Sequence, residues 1–248
     1  MLSKNRIKFL KSLQQKKIRK EEKLFLAEGE KIVVEILKSD AIISELYATD
    51  LFLDKYQQLI QTKKINIIEA NAKDLTQIGY LQTNDFAAVL MPFLPEKKII
   101  PDNNSLTLVL DTIQDAGNFG TIIRIADWFG VQGIVCSLDT VDLYNSKVLA
   151  ASMASFLRIP IIYQSIEDFL VINKTIDIFG AILDGDSLYQ TQKKMRGILV
   201  VGNESKGISK EIEAFIPNKI MIPRFGEAES LNVGIATAIF CNHWREKI

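Results

Sequence analysis

The sequence has few of the residues that build disulfide or metal scaffolds. Its 248 residues include two cysteines, Cys136 and Cys241, and a single histidine, His243. The cysteines form no CxxC pair and no histidine cluster lies near them, which argues against a disulfide framework or a structural zinc site. We therefore predict no metal site and a reducing compartment, the cytoplasm.

A long apolar run and a net charge are also missing. No apolar stretch approaches the roughly 20 residues that cross a bilayer, so a membrane-spanning helix is not expected. Lys and Arg together number 30, as do Asp and Glu, which argues against a uniformly basic nucleic-acid binder. The composition, 48% hydrophobic and 24% charged, is that of a globular protein that stays soluble.

Positive charge is nevertheless concentrated at the start of the chain. Residues 1–23 hold nine Lys or Arg against two acidic residues, Glu21 and Glu22. The segment could bind phosphate groups through these cations. It could equally be a solvated helix, because Ile7 and Leu10 recur with charged residues between them. The sequence favours neither interpretation.

A proline-rich segment marks the boundary between two predicted domains. Three of the six prolines fall between positions 92 and 101, and Asp, Asn, Asn and Ser follow them. This composition suits neither a helix nor a central strand, so we predict a linker over residues 92–105. Residues 1–91 alternate short β-type runs with helical patterns and are predicted to form a small α/β domain. Residues 106–248 form the predicted second domain.

Six apolar runs in the second domain predict a parallel sheet, because such runs suit strands that helices cover on both faces. The predicted strands are Leu106–Asp111, Gly133–Cys136, Ile159–Tyr163, Ile178–Leu183, Ile198–Val201 and Ile220–Pro223. The predicted helices are Gly120–Phe129, Asn145–Ser155, Ile208–Phe215 and Leu231–Trp244. Ligands of open α/β sheets bind beyond the carboxyl ends of the strands, so the loops there are the candidate site.

The first candidate loop follows the strand that ends at Asp111. Gly117 and Gly120 let the backbone approach a ligand, and Asn118 is placed to cap the next helix. Arg124 lies about two turns into that helix. The loop lacks the GxGxxG pattern, which argues against dinucleotide binding.

The second candidate loop contains Gly202 and Gly207 at the spacing of a phosphate loop. Ile208 stands where that motif requires Lys, and the charge of Glu204 would repel a phosphate. Nucleoside triphosphate binding is therefore not predicted.

The third candidate loop leads from Pro223 into an apolar helix. Ser230 is placed to cap this helix. Asn232 would then stand at the second or third helical position, where an Asn usually bonds a partner other than its own backbone.

Together the three loops resemble the motifs of the SpoU (TrmH-like) branch of the SPOUT RNA methyltransferases, over roughly residues 106–248. The matching elements are Asn118-x-Gly120-x-x-x-Arg124, Gly202-Asn-Glu204-x-x-Gly207, and Ile222-Pro223 followed by Ser230-Leu-Asn-Val233. The segment Phe25–Leu37 resembles, more weakly, the RNA-binding domain that often precedes this catalytic domain. Relatives often have Arg where this chain has Ala150.

The resemblance implies a fold, a cofactor and partners. It implies a parallel sheet whose C-terminal part threads a trefoil knot, and a homodimer whose active site is completed across the subunit interface. S-adenosyl-L-methionine would be the cofactor, contacted by Leu183, Gly202, Ile222 and Leu231. The implied reaction is methylation of a ribose 2′-hydroxyl in structured RNA, with ribosomal RNA favoured over transfer RNA because of the preceding domain.

The same resemblance implies a catalytic set of Asn118, Arg124, Glu204, Ser230 and Asn232. Because a guanidinium is not readily deprotonated, we interpret Arg124 as a clamp on phosphate and a stabiliser of the forming alkoxide. The other four would align it with the ribose, and the proton acceptor stays open. The alternative is a noncatalytic RNA-binding or assembly factor on the same fold, which loss of Arg124 or Asn232 would have favoured.

Aromatic residues outside the motifs receive structural interpretations. Trp128 and Phe129 are predicted to belong to the helix core rather than to a base-stacking platform. His243, in the terminal helix, is predicted to be structural or on the surface.

Overall fold

The computed structural model describes residues 2–190 and 196–246. The helices are α1 (Lys4–Ser12), α2 (Lys16–Glu22), α3 (Glu30–Lys38), α4 (Asp50–Lys55), α5 (Gln57–Gln61), α6 (Ala72–Ile78), α7 (Ala116–Phe129), α8 (Ser146–Ser152), α9 (Ile166–Ile172), α10 (Lys210–Glu213) and α11 (Val233–Glu246). The strands are β1 (Leu24–Glu28), β2 (Glu45–Ala48), β3 (Asn66–Glu69), β4 (Ala87–Pro92), β5 (Leu106–Leu110), β6 (Gly133–Cys136), β7 (Ile161–Tyr163), β8 (Ile178–Ser187), β9 (Gly197–Val201) and β10 (Asn218–Met221). The α/β class predicted from the sequence is confirmed.

The chain divides into two compact units. The first combines Met1–Pro95 with Asp142–Leu157, and the second combines Glu96–Val141 with Arg158–Ile248. The domain limits drawn from the sequence stay a prediction. The grouping of Asp142–Leu157 with the first unit had no counterpart in the sequence pattern.

The first unit contains a four-stranded sheet in the order β1-β4-β2-β3. β2 and β3 are parallel, and β4 runs antiparallel to both β1 and β2. β4 is therefore a central strand, and its last residue is Pro92, paired with Leu24. The prediction that the segment beginning at residue 92 carries no central strand was wrong at this residue. A proline is tolerated there because its missing N–H falls at the end of the ladder.

One face of this sheet is covered by α1 and α6. Their buried side chains form a common core with the sheet, made of Leu10, Leu13, Tyr47, Ala70, Leu75, Ile78, Ala88 and Leu90. The apolar side of α1 therefore packs against the sheet, while phosphate binding by its cations stays a prediction. α3 contacts β1 and β4 but contributes no residue to this cluster, so it covers the opposite face.

The segment Asp142–Leu157 is held in the first unit by a buried ion pair and an aromatic stack. Arg19 is only 3% exposed, and its Nε donates to Asp142 Oδ2 at 3.1 Å. The Tyr144 ring stacks on Phe93 at a centroid distance of 4.1 Å and lies 4.6 Å from Phe25. These contacts explain why a segment that follows β6 groups with the first 95 residues.

The second unit is a six-stranded parallel sheet in the order β10-β8-β9-β5-β6-β7. Strands β5, β6 and β9 are buried along their whole length, as expected for strands with helices on both faces. After β7 the chain returns to the other side of β5, so β5 and β9 flank a topological switch point. Such points form the ligand crevice of open α/β sheets.

Among the described residues, no helix combines the length and apolarity needed to cross a membrane.

Candidate active site

The loop after β5 leads into α7, and Asp115 caps that helix. Its Oδ1 accepts a hydrogen bond from the Asn118 backbone N–H at 2.8 Å. α7 therefore begins at Ala116, earlier than the predicted Gly120. The prediction that Asn118 caps the helix was wrong. Because Asp115 takes that role, the Asn118 side chain is available for other partners.

The Asn118 side chain joins all three candidate loops. Its Nδ2 donates to Glu204 Oε1 at 2.7 Å, and its Oδ1 accepts from Asn232 Nδ2 at 2.9 Å. These partners lie 86 and 114 residues away along the chain. We call Glu204, Asn118 and Asn232 the amide network. The structure thus brings three of the five predicted catalytic residues into direct contact.

Asn232 also caps α11, a role predicted for Ser230. Its Oδ1 accepts from the backbone N–H groups of Gly234 at 3.0 Å and Ile235 at 3.3 Å. The helix begins at Val233 rather than at the predicted Leu231, which moves the cap two residues along. Ser230 is exposed and makes no hydrogen bond to the described part of the chain. Its prediction as a cap was wrong, and its proposed role in the site stays a prediction.

The loop after β9 is organised by Asn203, which the sequence analysis missed. Its Oδ1 accepts from the backbone N–H of Ser205 at 3.0 Å and of Lys206 at 3.2 Å, and its Nδ2 donates to the Thr112 carbonyl at 2.8 Å. The first two bonds are those of an Asx-type turn, a role for which Asn in a glycine loop is a recognisable signal. The third bond ties this loop to the loop after β5.

Gly202 stands at the tightest point of the same loop. A Cβ at this position would collide with the backbone of Gly207 and Ile208. Asn203 and Gly207 exchange backbone hydrogen bonds of 2.9 Å in both directions, which closes the turn. A larger residue at position 202 would therefore force the turn open.

Backbone strain lies between β5 and α7, at the switch point. Thr112 has a φ of 58°, which is unusual for a β-branched residue. Its N–H donates to Ser137 Oγ at 2.9 Å and its hydroxyl to Asp111 Oδ1 at 3.0 Å. The other Asp111 oxygen accepts from the Ser209 N–H at 2.7 Å. Ser209 directly precedes α10, which begins at Lys210 rather than at the predicted Ile208. Residues held in such conformations cluster at functional sites.

Arg124 lies on the outer face of α7. Its side chain is exposed and has no hydrogen bond or ion pair with any residue that the structure describes. Thr121 and Trp128, one turn to either side, are exposed on the same face, while Ile122 and Ile123 are buried. Trp128 is 83% exposed, so its prediction as a core residue was wrong. This cation, six residues along α7 from Asn118, is therefore available to a ligand.

Three of the four residues predicted to contact the cofactor lie in or directly after neighbouring strands of the sheet. Gly202 directly follows β9 and Ile222 directly follows β10, while Leu183 lies in β8 between them. β8 pairs with β10 up to Gly180 and resumes pairing at Asp186, so residues 181–185 bulge away from the ladder. Leu183 in this bulge is 74% exposed.

Leu231 is also half exposed and adjoins Asn232 of the amide network. Two apolar side chains are thus open to solvent at the carboxyl edge of the sheet. The predicted contacts themselves are not tested by this placement.

The remaining candidates take no part in the site. His243 is buried, and its ring meets the edge of Tyr189 at a centroid distance of 6.0 Å, as a structural residue would. Cys136 and Cys241 are buried, and desolvation raises the pKa of both thiols, that of Cys241 to about 12. Neither thiol is therefore a nucleophile at neutral pH.

Comparison with known proteins identifies the family. Residues 105–242 match the model of the SpoU rRNA Methylase family, and residues 4–88 match the model of an MRM3-like substrate binding domain. The chain is 30% identical, over 97% of its length and 96% of the relative's, to the 23S rRNA (guanosine(2553)-2′-O)-methyltransferase RlmP of Bacillus subtilis.

Two solved structures are similar to this chain over its whole length. A TrmH-family protein from Porphyromonas gingivalis has a TM-score of 0.86 at 35% identity, with 100% of each chain covered. The AdoMet-bound rRNA methyltransferase from Sinorhizobium meliloti has a TM-score of 0.87 at 27% identity, covering 100% of this chain and 97% of that one. The amide network unites the three motifs that the sequence shares with this group, and the chain belongs to the SpoU rRNA methylase family.

Proposed function

We propose that this protein transfers a methyl group from S-adenosyl-L-methionine to a ribose 2′-hydroxyl of RNA. The observation that carries the proposal is the amide network, which joins three strand-end loops at the start of α7. The same helix carries Arg124, which is exposed and has no partner among the described residues. Ribosomal RNA is the proposed substrate. RlmP, named for this reaction on 23S rRNA, matches nearly the whole chain, and residues 4–88 match a substrate binding domain.

Arg124 supplies charge and orientation in this proposal. A ribose hydroxyl is a weak nucleophile, and the guanidinium cannot remove its proton because it stays protonated in proteins. A planar cation with several N–H donors can hold a phosphate beside the ribose and stabilise the negative charge that develops on the hydroxyl oxygen. Arg124 has no hydrogen-bond or ion-pair partner among the described residues, so its donors are available to the RNA.

The amide network positions this machinery. Both polar atoms of the Asn118 side chain are engaged, one by Glu204 and one by Asn232, so the amide has a single orientation. Asn118 and Arg124 stand on the same rigid helix, and the network therefore sets the loops after β9 and β10 relative to Arg124. Ser230, exposed just before Asn232, is proposed to contact the ribose.

The residues at the carboxyl edge of the sheet fit the cofactor. The exposed side chains of Leu183 and Leu231 offer an apolar surface for the adenine ring, and the turn at Gly202 brings main chain to the same edge. We propose that these residues and Ile222 hold S-adenosyl-L-methionine. When bound, it supplies a methyl group already activated on its sulfonium.

We further infer a homodimer. α7 packs against α11, and Arg245 Nε of α11 donates to the Phe129 carbonyl at 2.6 Å. This helix pair exposes Trp128 and Ile235, apolar side chains that a partner subunit would cover. Because Arg124 lies on the same face as Trp128, the second subunit would complete the active site.

The family fold leads to two finer proposals. The C-terminal part is proposed to thread a trefoil knot, and membership of the SpoU family supports this proposal. The protein is proposed to work in the cytoplasm, where bacterial ribosomal RNA is present. The burial of both thiols is compatible with that location.

Substitution of Arg124 tests the function. Arg124→Ala should lower methyl transfer from labelled cofactor to 23S rRNA by at least about 100-fold, the usual loss when one charge-stabilising group is removed. Calorimetric binding of S-adenosylhomocysteine should be unchanged. Lys174→Ala is the matched control, because Lys174 is an exposed cation in the turn before β8, at the opposite edge of the sheet.

Full activity of Arg124→Ala would remove the proposed role of this residue. Cofactor binding without methyl transfer to any RNA, in the unmodified protein, would favour a noncatalytic binding factor instead. Mapping ribose methylation in ribosomal RNA from cells with and without the gene would identify the target nucleotide.

A further inference from the structure

Six lysines of α1 and α2 form an exposed positive surface on the first unit. We call them the N-terminal lysine surface; they are Lys4, Lys8, Lys11, Lys16, Lys17 and Lys20. Within the described residues only Lys17 has an acidic partner, Glu21, at 3.9 Å. The carboxylates of Glu21 and Glu22 on α2 are too few to neutralise the surface.

The lysines of α1 share one face of the helix. Lys4, Lys8 and Lys11 are spaced by four and three residues, which places them within about 60° of one another around the axis. Leu10, on the other side of the helix, is fully buried. The position of the lysine stripe on the first unit is therefore determined by core packing.

The inner side of α1 is anchored by its own polar contacts. Arg6 Nε donates to the Tyr47 hydroxyl at 2.7 Å, and the Arg6 guanidinium forms an ion pair with Glu45. The Leu2 N–H donates to Asp74 of α6 at 3.0 Å. These contacts use the inward-facing cation and nearby carboxylates, and leave the charges of the outer face unneutralised.

An exposed aromatic residue lies beside the turn between α1 and α2. Gln14 in this turn donates from Nε2 to the Gly79 carbonyl at 2.6 Å, and Tyr80 follows Gly79. The buried Glu28 carboxylate accepts from the Tyr80 N–H at 2.5 Å and from the Leu81 N–H at 3.3 Å. The loop is thus held from two sides, while the Tyr80 side chain is 51% exposed.

We propose that the N-terminal lysine surface and Tyr80 together bind an RNA loop that contains an unpaired base. The lysines contact phosphates, and Tyr80 stacks on the unpaired base. A charged surface with an exposed aromatic ring beside it suits single-stranded or looped RNA, whose bases are free to stack, better than a uniform duplex. The inference rests on the proposed function in one respect, namely that RNA is the substrate.

The lysines are tested by charge removal in the full chain. Lys4→Gln, Lys8→Gln and Lys11→Gln are combined, and affinity for transcribed 23S rRNA is measured over a range of KCl concentrations. The slope of log K against log salt should become shallower by roughly two, because each phosphate contact contributes about 0.7 on single strands.

A charge-matched control variant carries Lys31→Gln, Lys38→Gln and Lys64→Gln. All three are exposed lysines of the same unit, and Lys31 and Lys38 stand on α3, which covers the other face of the sheet. The control should keep the slope of the unmodified protein. Equal slopes for the two triple variants would overturn the phosphate contacts.

Tyr80 is tested by the pair Tyr80→Ala and Tyr80→Phe. The alanine variant should bind 23S rRNA on the order of tenfold more weakly, and the phenylalanine variant should bind like the unmodified protein, because stacking needs the ring only. Neither should change binding to a fully paired RNA duplex. Equal affinity of the alanine variant for 23S rRNA would overturn the stacking contact.

A catalytic readout separates this inference from the proposed function. The lysine variant should show a raised KM for RNA with kcat unchanged. Its S-adenosylhomocysteine binding should also be unchanged. If the protein transferred no methyl group at all, the proposed function would fail, while the salt slopes would still decide whether the N-terminal lysine surface binds RNA.

Discussion

Asn232 performs two separable tasks through one side-chain amide. Its oxygen caps α11 by accepting from Gly234 and Ile235, while its nitrogen donates to Asn118. Asn232→Asp keeps the capping oxygen and loses the donor, whereas Asn232→Ala loses both. We expect both variants to lose at least about tenfold in kcat, and only the alanine variant to lose about 1 kcal/mol of unfolding free energy.

Urea unfolding and steady-state kinetics on the two Asn232 variants make this comparison. An active aspartate variant would show that the bond to Asn118 is dispensable. Equal stability of the two variants would show that the side-chain oxygen does not cap the helix.

Glu28 is a buried acid whose effect on stability depends on pH. Desolvation raises its pKa, although the N–H groups of Tyr80 and Leu81 and the side chain of Asn84 oppose the shift. A carboxyl with a raised folded-state pKa stabilises the fold most when protonated, below its unfolded pKa. That contribution is lost as the pH rises through the folded-state pKa.

We therefore expect Glu28→Gln to become more stable relative to the unmodified protein as the pH is raised from about 4.5, the ordinary glutamate value, towards neutrality. The difference should then level off. Unfolding free energies measured at several pH values check this. A difference that stays constant with pH would mean that Glu28 titrates normally.

At the scale of elements, Arg19 joins α2 to the segment that carries α8. Its side chain donates to the carbonyls of Leu13 and Gln14, each at 2.8 Å, and pairs with Asp142. Arg19→Met removes every one of these bonds and leaves Asp142 unpaired, which should cost about 3–5 kcal/mol of unfolding free energy.

Asp142→Asn should cost clearly less, because Arg19 keeps both carbonyl acceptors. Denaturant titration of the two variants measures the difference. If Arg19→Met unfolds with the stability of the unmodified protein, this ion pair does not hold Asp142–Leu157 in the first unit.

At the scale of the whole molecule, the prediction concerns assembly. Trp128 is 83% exposed beside the site, and we expect a second copy of the chain to cover it. Trp128→Glu should convert a dimer into a monomer in sedimentation experiments and reduce methyl transfer with it. Ile172→Glu is the control, because Ile172 on α9 is 79% exposed and lies outside this helix pair. A dimer that survives Trp128→Glu would place the interface elsewhere.

The sequence by itself determined the fold class and the site motifs. Hydrophobic periodicity is a local property, so alternating helices and strands could be predicted along the chain, and the three loops were recognisable because glycine and polar residues follow apolar strands. The motifs that begin in these loops include Arg124, Glu204 and Asn232, and the family that they resemble is the one now identified.

Only the tertiary structure decided which atoms those residues use. The bond from Asn118 to Glu204 and the bond from Asn232 to Asn118 join residues that lie 86 and 114 positions apart in the chain. The grouping of Asp142–Leu157 with the first unit has the same origin, since its ion pair spans 123 residues. The local sequence pattern shows which side chains are apolar or polar. A hydrogen bond also needs a partner within bonding distance, and only the folded chain brings a distant residue there.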